Sequence, residues 1–200
     1  MSLQPGLRER KKQQTRETIA RAAHELFAER GYHATTLPDI AQAADVSTRT
    51  IFAYFPSKED ILFSDFPVMK EALARALAER PDGVGTLETV REFILSSHGI
   101  KKSKLDEELN RCVQTDETLR SHLRARIAQL EDLIAGAIAK DLGAPENDLR
   151  AHVVAASLTA AFIVLSERDD SAAKPKTADE VAAQIDPVIN FLRGGLDALR

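Results

Sequence analysis

The sequence predicts an all-α protein of about nine helices, in which an N-terminal three-helix domain precedes a larger helical domain. Two observations support this prediction. Apolar residues recur at helical spacing along most of the chain, and no alternating apolar and polar run indicates a strand. A third observation is one N-terminal segment whose length, capping residues and turn residues are those of a helix-turn-helix, a pair of short helices joined by a tight turn.

Composition sets the class of protein. With 44% hydrophobic and 29% charged residues, the 200-residue chain can bury a core and keep a charged surface. It has no apolar run of about 18 residues, so no membrane span is predicted. The single cysteine, Cys112, leaves no internal disulfide, and the basic N-terminus lacks an apolar leader. These features predict a cytoplasmic protein.

The most informative segment begins at Thr36 and contains two short helices. Thr36 is an N-cap residue with Asp39 three positions later, which is close to a capping box. Asp45 can adopt the left-handed conformation of a tight turn, although less readily than glycine. Ser47 caps the second helix, which we expect to end before Pro56 because a residue preceding proline is pushed out of the α region.

The second helix of this segment has two predicted faces. We expect Ile51, Phe52 and Phe55 to point inward as its apolar face. The remaining polar side chains point outward and can hydrogen-bond to base edges and phosphates, as a recognition helix does in a DNA major groove. The residues predicted to contact DNA in and near this helix are Thr36, Ser47, Thr48, Arg49, Thr50, Tyr54 and Lys58.

The segment resembles the DNA-binding domain of the TetR family of bacterial transcriptional regulators. The resemblance covers about residues 13–63. Its matching elements include Phe27, Gly31-Tyr32, Thr35-Thr36, Ile40-Ala41, Val46-Ser47, Thr50-Ile51-Phe52, Tyr54-Phe55, Ser57-Lys58-Glu59 and Leu62. Two positions depart from the family pattern, since Asp45 and Arg49 stand where the family often has glycine. Arg49 adds a side chain that can read bases.

The resemblance implies a ligand-responsive, dimeric transcriptional regulator. It implies a repressor that binds a palindromic operator in double-stranded DNA and is released by a small hydrophobic effector. The last two helices are apolar over a wide arc and rich in small residues, which suits either burial in a monomer core or a homodimer interface. The resemblance favours the homodimer. Two alternatives stay open: a regulator controlled by a protein partner, and a helical enzyme. The enzyme has no support from metal-ligand spacing, a phosphate-binding loop or a nucleophile elbow, and no cofactor or metal is expected.

The distribution of charge along the chain is consistent with two predicted domains. Residues 1–60 form the helix-turn-helix domain with a basic N-terminal arm, and residues 61–200 form a ligand-binding and dimerisation domain. Residues 1–21 contain six Lys and Arg against two Glu, whereas residues 61–200 contain 18 Lys and Arg against 23 Asp and Glu. A basic end on an acidic body suits a protein that places that end on phosphates. The arm precedes a first helix expected over residues 13–30, and it is either a phosphate or minor-groove contact or a solvated tail.

The resemblance also implies a ligand pocket in the second domain. The candidate lining residues are Met69, Leu73, Phe93, Ser97, His98, Leu109, Cys112, Val113, Leu123, Ile127, Ser157 and Phe162. Each of them can equally be an ordinary core residue. The mostly apolar set favours a hydrophobic or aromatic effector, with His98 or Cys112 as polar anchor.

One helix is expected to connect the two domains. It begins after Ser57, runs toward Ala78 and is expected to bend or split at Pro67. Because it spans the pocket and the DNA-binding helices, this helix is predicted to act as a lever, which means that it transmits the effect of ligand binding to the DNA-binding helices.

Overall fold

The structure is a computed structural model that describes residues 6–98, 104–167 and 177–198. Over these residues it contains ten α-helices and no strand, which confirms the all-α prediction. The helices are α1 Leu7–Arg30, α2 Leu37–Ala43, α3 Thr48–Tyr54, α4 Lys58–Leu62, α5 Phe66–Ala78, α6 Thr86–His98, α7 Lys104–Thr115, α8 Glu117–Asp141, α9 Leu149–Glu167 and α10 Ala178–Ala198. The first residues of the predicted arm and residues 168–176, a polar segment for which the sequence predicts a loop, lie outside the described residues.

The chain divides into two compact units. The first contains residues 1–65 and 104–119, and the second contains residues 66–103 and 120–200. The sequence places the domain boundary after residue 60 and assigns residues 104–119 to the second domain. In the structure α7 packs against α1, and Val113 and Leu119 are buried. Apolar periodicity identifies α7 as a helix but does not say which neighbour its apolar face covers.

The first helix is longer than predicted. α1 begins at Leu7 instead of Gln13, so the basic residues that follow Leu7 belong to a helix and do not form an extended arm. The segment is rich in Arg, Lys and Gln, which have high helix propensity, and Glu9 lies in the first turn, where a negative charge is favourable. Farther along, α1 buries an apolar stripe that contains Ile19, Ala23 and Phe27.

Capping residues set the start of α2 and α3 as the sequence predicts. The Thr36 hydroxyl accepts a hydrogen bond from the Asp39 amide, and the Thr36 amide donates to the Asp39 carboxylate at 2.9 Å, which completes the capping box. Asp45 occupies the turn with a φ of 53°, the left-handed conformation. The Ser47 hydroxyl accepts from the Thr50 amide at 3.0 Å and so satisfies a free donor at the start of α3.

The connecting helix is two helices. α4 ends at Leu62 and α5 begins at Phe66, so the helix expected from Ser57 toward Ala78 is split, as Pro67 predicts. Pro67 is the second residue of α5, where its missing N–H has no partner to lose. The lever role expected for this segment stays a prediction, since the break at residues 63–65 does not test it.

The second unit has a core built from α5, α6, α8, α9 and α10. Its buried residues include Leu73, Leu87, Ile138, Leu158 and Ile189. Ion pairs tie α6 to α10 along the rim of this core: the Arg91 side chain donates to Asp186 at 2.6 and 3.0 Å, and Arg193 pairs with Glu88. Within the described ranges, no helix is both long enough and apolar enough to cross a membrane.

Candidate DNA-binding interface

The centre of the candidate interface is the exposed face of α3. Ile51 and Phe55 are 0% and 1% exposed and attach the helix to the first unit. Arg49, Phe52 and Ala53 are exposed. The prediction that Phe52 points inward is wrong, because its side chain is 55% exposed. Phe52 lies about 100° around the helix from Ile51, at the edge of its apolar face, so sequence spacing alone does not decide whether it is buried.

The hydroxyl residues near α3 occupy its edges. Thr48, Thr50 and Tyr54 are half-buried, whereas Thr36 and Ser47 are exposed. The Ser47 and Thr50 hydroxyls form a hydrogen bond with each other at 2.7 Å. The Thr36 hydroxyl also donates to the Asp39 carboxylate at 2.5 Å, and hydrogen bonds from Thr36 hold the pKa of Asp39 below its usual value.

Lys58 has internal partners in the structure. Its ammonium donates to the carbonyl of Tyr32 at 2.8 Å and to that of Thr35 at 3.0 Å, and it lies 4.0 Å from the centroid of the Tyr32 ring. Burial lowers the pKa of Lys58. The Tyr32 hydroxyl in turn donates to Glu59 at 2.6 Å, and burial together with this contact raises the pKa of Tyr32. The phosphate contact of Lys58 stays a prediction, and these two carbonyls accept hydrogen bonds from two of the three donors of the ammonium.

The N-terminal turns of α1 form a basic helix. Arg8, Lys11 and Lys12 are exposed, whereas Arg16, one turn farther along, is half-buried beside the end of α3. An α-helix with its side chains is about 10–12 Å wide. The minor groove of B-form DNA is about 6 Å wide, too narrow to admit that helix. The helix as a whole therefore does not enter this groove, although its side chains can, and both DNA contacts expected for this segment stay predictions.

The candidate pocket residues differ in burial and do not gather in one unit. Leu73, Val113 and Ile127 are buried; Phe93, Leu109, Cys112, Leu123 and Phe162 are half-buried; Met69 and Ser157 are exposed. The side chains of Ser97 and His98 lie outside the described residues. Leu109, Cys112 and Val113 belong to the first unit and the others to the second.

Several of these candidates already have partners. Leu73 is part of the core cluster of the second unit, and Phe93 and Phe162 pack against that cluster. The Ser157 hydroxyl donates to the Val153 carbonyl of its own helix at 2.7 Å. For these four residues, the contacts are those of ordinary core or helix surface, and their ligand role stays a prediction.

A second exposed surface lies on α9 and α10, which pack against each other. Its large apolar side chains are Leu149, Val153, Val164 and Phe191, of which Phe191 is 79% exposed. Pro187, Gly194 and Gly195, within one turn of Phe191, are small or compact and also exposed. Such a surface allows another helix to approach closely. The sequence indicated an apolar arc on these helices but not which side chains lie outside the core.

Comparison with known proteins identifies the family. Residues 19–64 match the model described as bacterial regulatory proteins of the tetR family, and residues 84–197 match the model of the MftR C-terminal domain. The HTH-type regulator TcmR of Streptomyces glaucescens is 42% identical over 86 residues, which are 43% of this chain. That match covers only 38% of TcmR.

Two further proteins are similar over more of their length. The mycofactocin biosynthesis regulator MftR of Mycobacterium tuberculosis is 28% identical over 73% of this chain and 75% of its own. FadR of Thermus thermophilus, a repressor solved in complex with lauroyl-CoA, has a TM-score of 0.56 at 27% identity and covers 88% of this chain and 92% of its own. Members of these families are transcriptional regulators and not enzymes. The chain belongs to the TetR family of bacterial DNA-binding transcriptional regulators.

Proposed function

We propose that this protein is a dimeric repressor that binds a palindromic operator through α3 and leaves it when a small hydrophobic effector binds. The observation that carries the proposal is the exposed face of α3. Its position is fixed by a Ser47 cap and by the buried side chains of Ile51 and Phe55, while Arg49 and Phe52 are left free of the core. A rigid helix that presents long side chains to solvent suits insertion into a major groove.

The two exposed side chains read different base features in this proposal. Arg49 can donate two hydrogen bonds to the O6 and N7 atoms of a guanine. Phe52 has no donor or acceptor and can contact the methyl group of a thymine. The basic N-terminal turns of α1 add phosphate contacts, which raise affinity for any sequence and make binding salt-dependent.

The dimer is proposed to form through the exposed apolar surface of α9 and α10. The support is the exposure of Phe191 among small residues, together with the dimeric assembly that is typical of the family. Two copies of α3 related by twofold symmetry match two half-sites about 34–36 Å apart on DNA. Linking the two contacts raises the overall affinity through effective concentration.

The effector is proposed to be a hydrophobic molecule bound by the second unit. Two findings support this class: the apolar character of the candidate residues there, and the lauroyl-CoA bound to the related FadR. An effector shifts the protein toward the released state only by its differential affinity for the two states. We expect α8 to transmit the change, because the boundary between the units falls within this helix, after Leu119.

The test is DNA binding by Arg49→Ala, with Arg21→Ala as a control. Arg21 is an exposed arginine on α1 whose partner is Glu25 in the same helix, so its loss removes one positive charge away from α3. A duplex is first selected by the wild-type protein from a randomised pool. Arg49→Ala is expected to lose about 1–3 kcal/mol of discrimination at one base pair, whereas Arg21→Ala keeps the wild-type preference. Unchanged base preference in Arg49→Ala would contradict the proposed role of α3.

The repressor and effector parts have separate readouts. Transcription from a promoter carrying the selected duplex is expected to rise when the gene for this protein is deleted, and to fall if the protein is an activator. Addition of lauroyl-CoA, the first of a panel of hydrophobic compounds, is expected to raise the melting temperature and to lower DNA affinity. If no compound in a broad panel changes either quantity, control by a protein partner becomes the better account.

A further inference from the structure

We infer that Arg16 is a positioning residue for α3 and not one of the phosphate-contacting cations of the basic helix. This inference rests on the proposed function, since it concerns how α3 is held for DNA binding. In the sequence, Arg16 looks like the other basic residues at the start of α1, but its contacts in the structure differ from theirs. The inference is carried by the contacts of its guanidinium group with the last residue of α3 and with the residue that follows.

The first contact is with the backbone at the C-terminal end of α3. The Nη1 atom of Arg16 donates to the carbonyl oxygen of Tyr54 at 2.9 Å, and Tyr54 is the last residue of the helix. The final carbonyls of a helix have no partner within it. A cation there satisfies such a carbonyl and also interacts favourably with the helix dipole. Because α3 has only two turns, its end lies close to the side chains proposed to read bases.

The second contact is with an aromatic ring in the core. The guanidinium carbon of Arg16 lies 4.2 Å from the centroid of the Phe55 ring, within the range of a cation–π interaction. Phe55 is the C-cap residue of α3 and is 1% exposed. Arg16 therefore joins α1 to both the last residue and the cap of α3, across 38 positions of sequence. A lysine has no planar guanidinium, so at this position it cannot keep the same geometry at the carbonyl and at the ring.

The neighbouring basic residues differ in their environment. Lys12 precedes Arg16 by four residues, so the two side chains lie on the same face of α1. Lys12 is exposed, whereas Arg16 is half-buried. Lys12 is thus a matched control, with the same charge and the same helix face but with the exposure that a phosphate contact requires.

The experiment measures binding of two duplexes at several salt concentrations. One duplex is the sequence that the wild-type protein selects from a randomised pool, and the other is a scrambled duplex of the same composition. For Arg16→Ala we expect about a tenfold loss on the selected duplex and little change on the scrambled duplex, which corresponds to about 1.4 kcal/mol. The salt dependence of binding is expected to stay as in the wild type. For Lys12→Ala we expect similar losses on both duplexes and a salt slope reduced by about 1.

Arg16→Lys distinguishes positioning from loss of folding or of charge. It keeps the charge, so a phosphate contact would be retained and its binding would equal that of the wild type. We expect instead a reduced preference for the selected duplex, with melting temperature near the wild type. Amide hydrogen exchange at Phe55, whose N–H donates to Ile51 at 2.8 Å, is expected to be faster in both Arg16 variants.

Three results would overturn the inference. The first is that Arg16→Ala loses equal affinity for both duplexes and has a reduced salt slope. The others are that Arg16→Lys behaves as the wild type in every assay, or that amide hydrogen exchange at Phe55 in the Arg16 variants equals that of the wild type. Failure of the proposed function has a different result, in which the wild-type protein selects no sequence from the pool. If Arg16→Ala does not fold at the assay temperature, the Arg16→Lys measurements decide alone.

Discussion

Phe52 offers a sharp test of how α3 reads DNA, because its proposed target is a single methyl group. The ring is exposed on α3 and carries no polar atom, so the base feature it can recognise is the C5-methyl of thymine. Replacing thymine by uracil removes this methyl and leaves every hydrogen-bonding group of the base pair unchanged. The perturbation is therefore a uracil placed in turn at each thymine of the selected duplex.

The expected magnitude follows from the area involved. Burial of one methyl group is worth about 0.8 kcal/mol, which is about a fourfold change in affinity. Complete burial of an aromatic side chain removes about 150–250 Å² from water. With 55% of Phe52 exposed, roughly 100 Å² is available for contact with DNA. At about 25 cal/mol per Å², the Phe52→Ala variant is expected to lose at most about 2.5 kcal/mol of DNA-binding free energy.

The assay is a double-mutant cycle between protein and DNA, measured by fluorescence anisotropy. The wild-type protein is expected to lose about fourfold in affinity at one thymine in each half-site and little at the others. Phe52→Ala is expected to bind the thymine and uracil duplexes equally at that position. The reasoning is refuted if the uracil effects are the same for the two proteins at every position, or if no uracil affects the wild type. Ala53→Ser, an exposed neighbour on α3, is a control expected to keep the wild-type uracil pattern.

Three further predictions follow from the fold. Asp45→Gly relieves a left-handed conformation and is expected to raise the free energy of unfolding in urea by about 1 kcal/mol; a less stable variant would argue against strain at this turn. Phe191→Glu is expected to convert dimer to monomer in sedimentation, while Val68→Glu, also at an exposed apolar residue, stays dimeric; two dimers would place the interface elsewhere. A hydrogen bond from Arg150 lowers the pKa of Asp148 to about 2, so this carboxylate is expected to stabilise the fold near neutral pH and to lose that effect as pH falls toward 2. Unfolding of Asp148→Asn, compared with wild type across this range, checks the last prediction, and a difference that does not shrink at low pH would contradict it.

Local signals made the helix-turn-helix predictable. The Thr36 and Asp39 pair, the turn at Asp45 and the cap at Ser47 each act within four residues, so their spacing is visible in the sequence. The TetR-like pattern then gave the family, which the comparisons confirm. Pro67 correctly indicated an interruption in the connecting helix, because proline acts on its own backbone and on the preceding turn.

Tertiary contacts were not predictable in the same way. The apolar character of Phe52 predicts a core position, yet the side chain lies at the edge of the buried face of α3 and is exposed. Lys58 is predicted to contact DNA and Arg16 belongs to the basic N-terminal segment, yet each donates to a carbonyl from a distant part of the chain. No local pattern encodes a partner 26 or 38 residues away.

The candidate pocket shows the same limit more strongly. Its twelve candidate residues share a mostly apolar character and a place implied by the family resemblance, and an ordinary core has both properties as well. The structure assigns Leu109, Cys112 and Val113 to the first unit, where α7 packs on α1. Sequence periodicity is the same whether an apolar face covers a neighbouring helix or a ligand, so burial alone does not assign a ligand role.

The most direct measurement of the central claim is selection from a randomised DNA pool by the wild-type protein and by the triple variant Thr48→Ala, Arg49→Ala, Phe52→Ala. The wild type is expected to enrich a palindrome whose half-sites lie about 10 base pairs apart, centre to centre. The triple variant is expected to melt at a temperature close to that of the wild type and to enrich no such sequence. Enrichment of the same palindrome by both proteins, or of none by the wild type, would contradict the claim that the exposed face of α3 reads DNA.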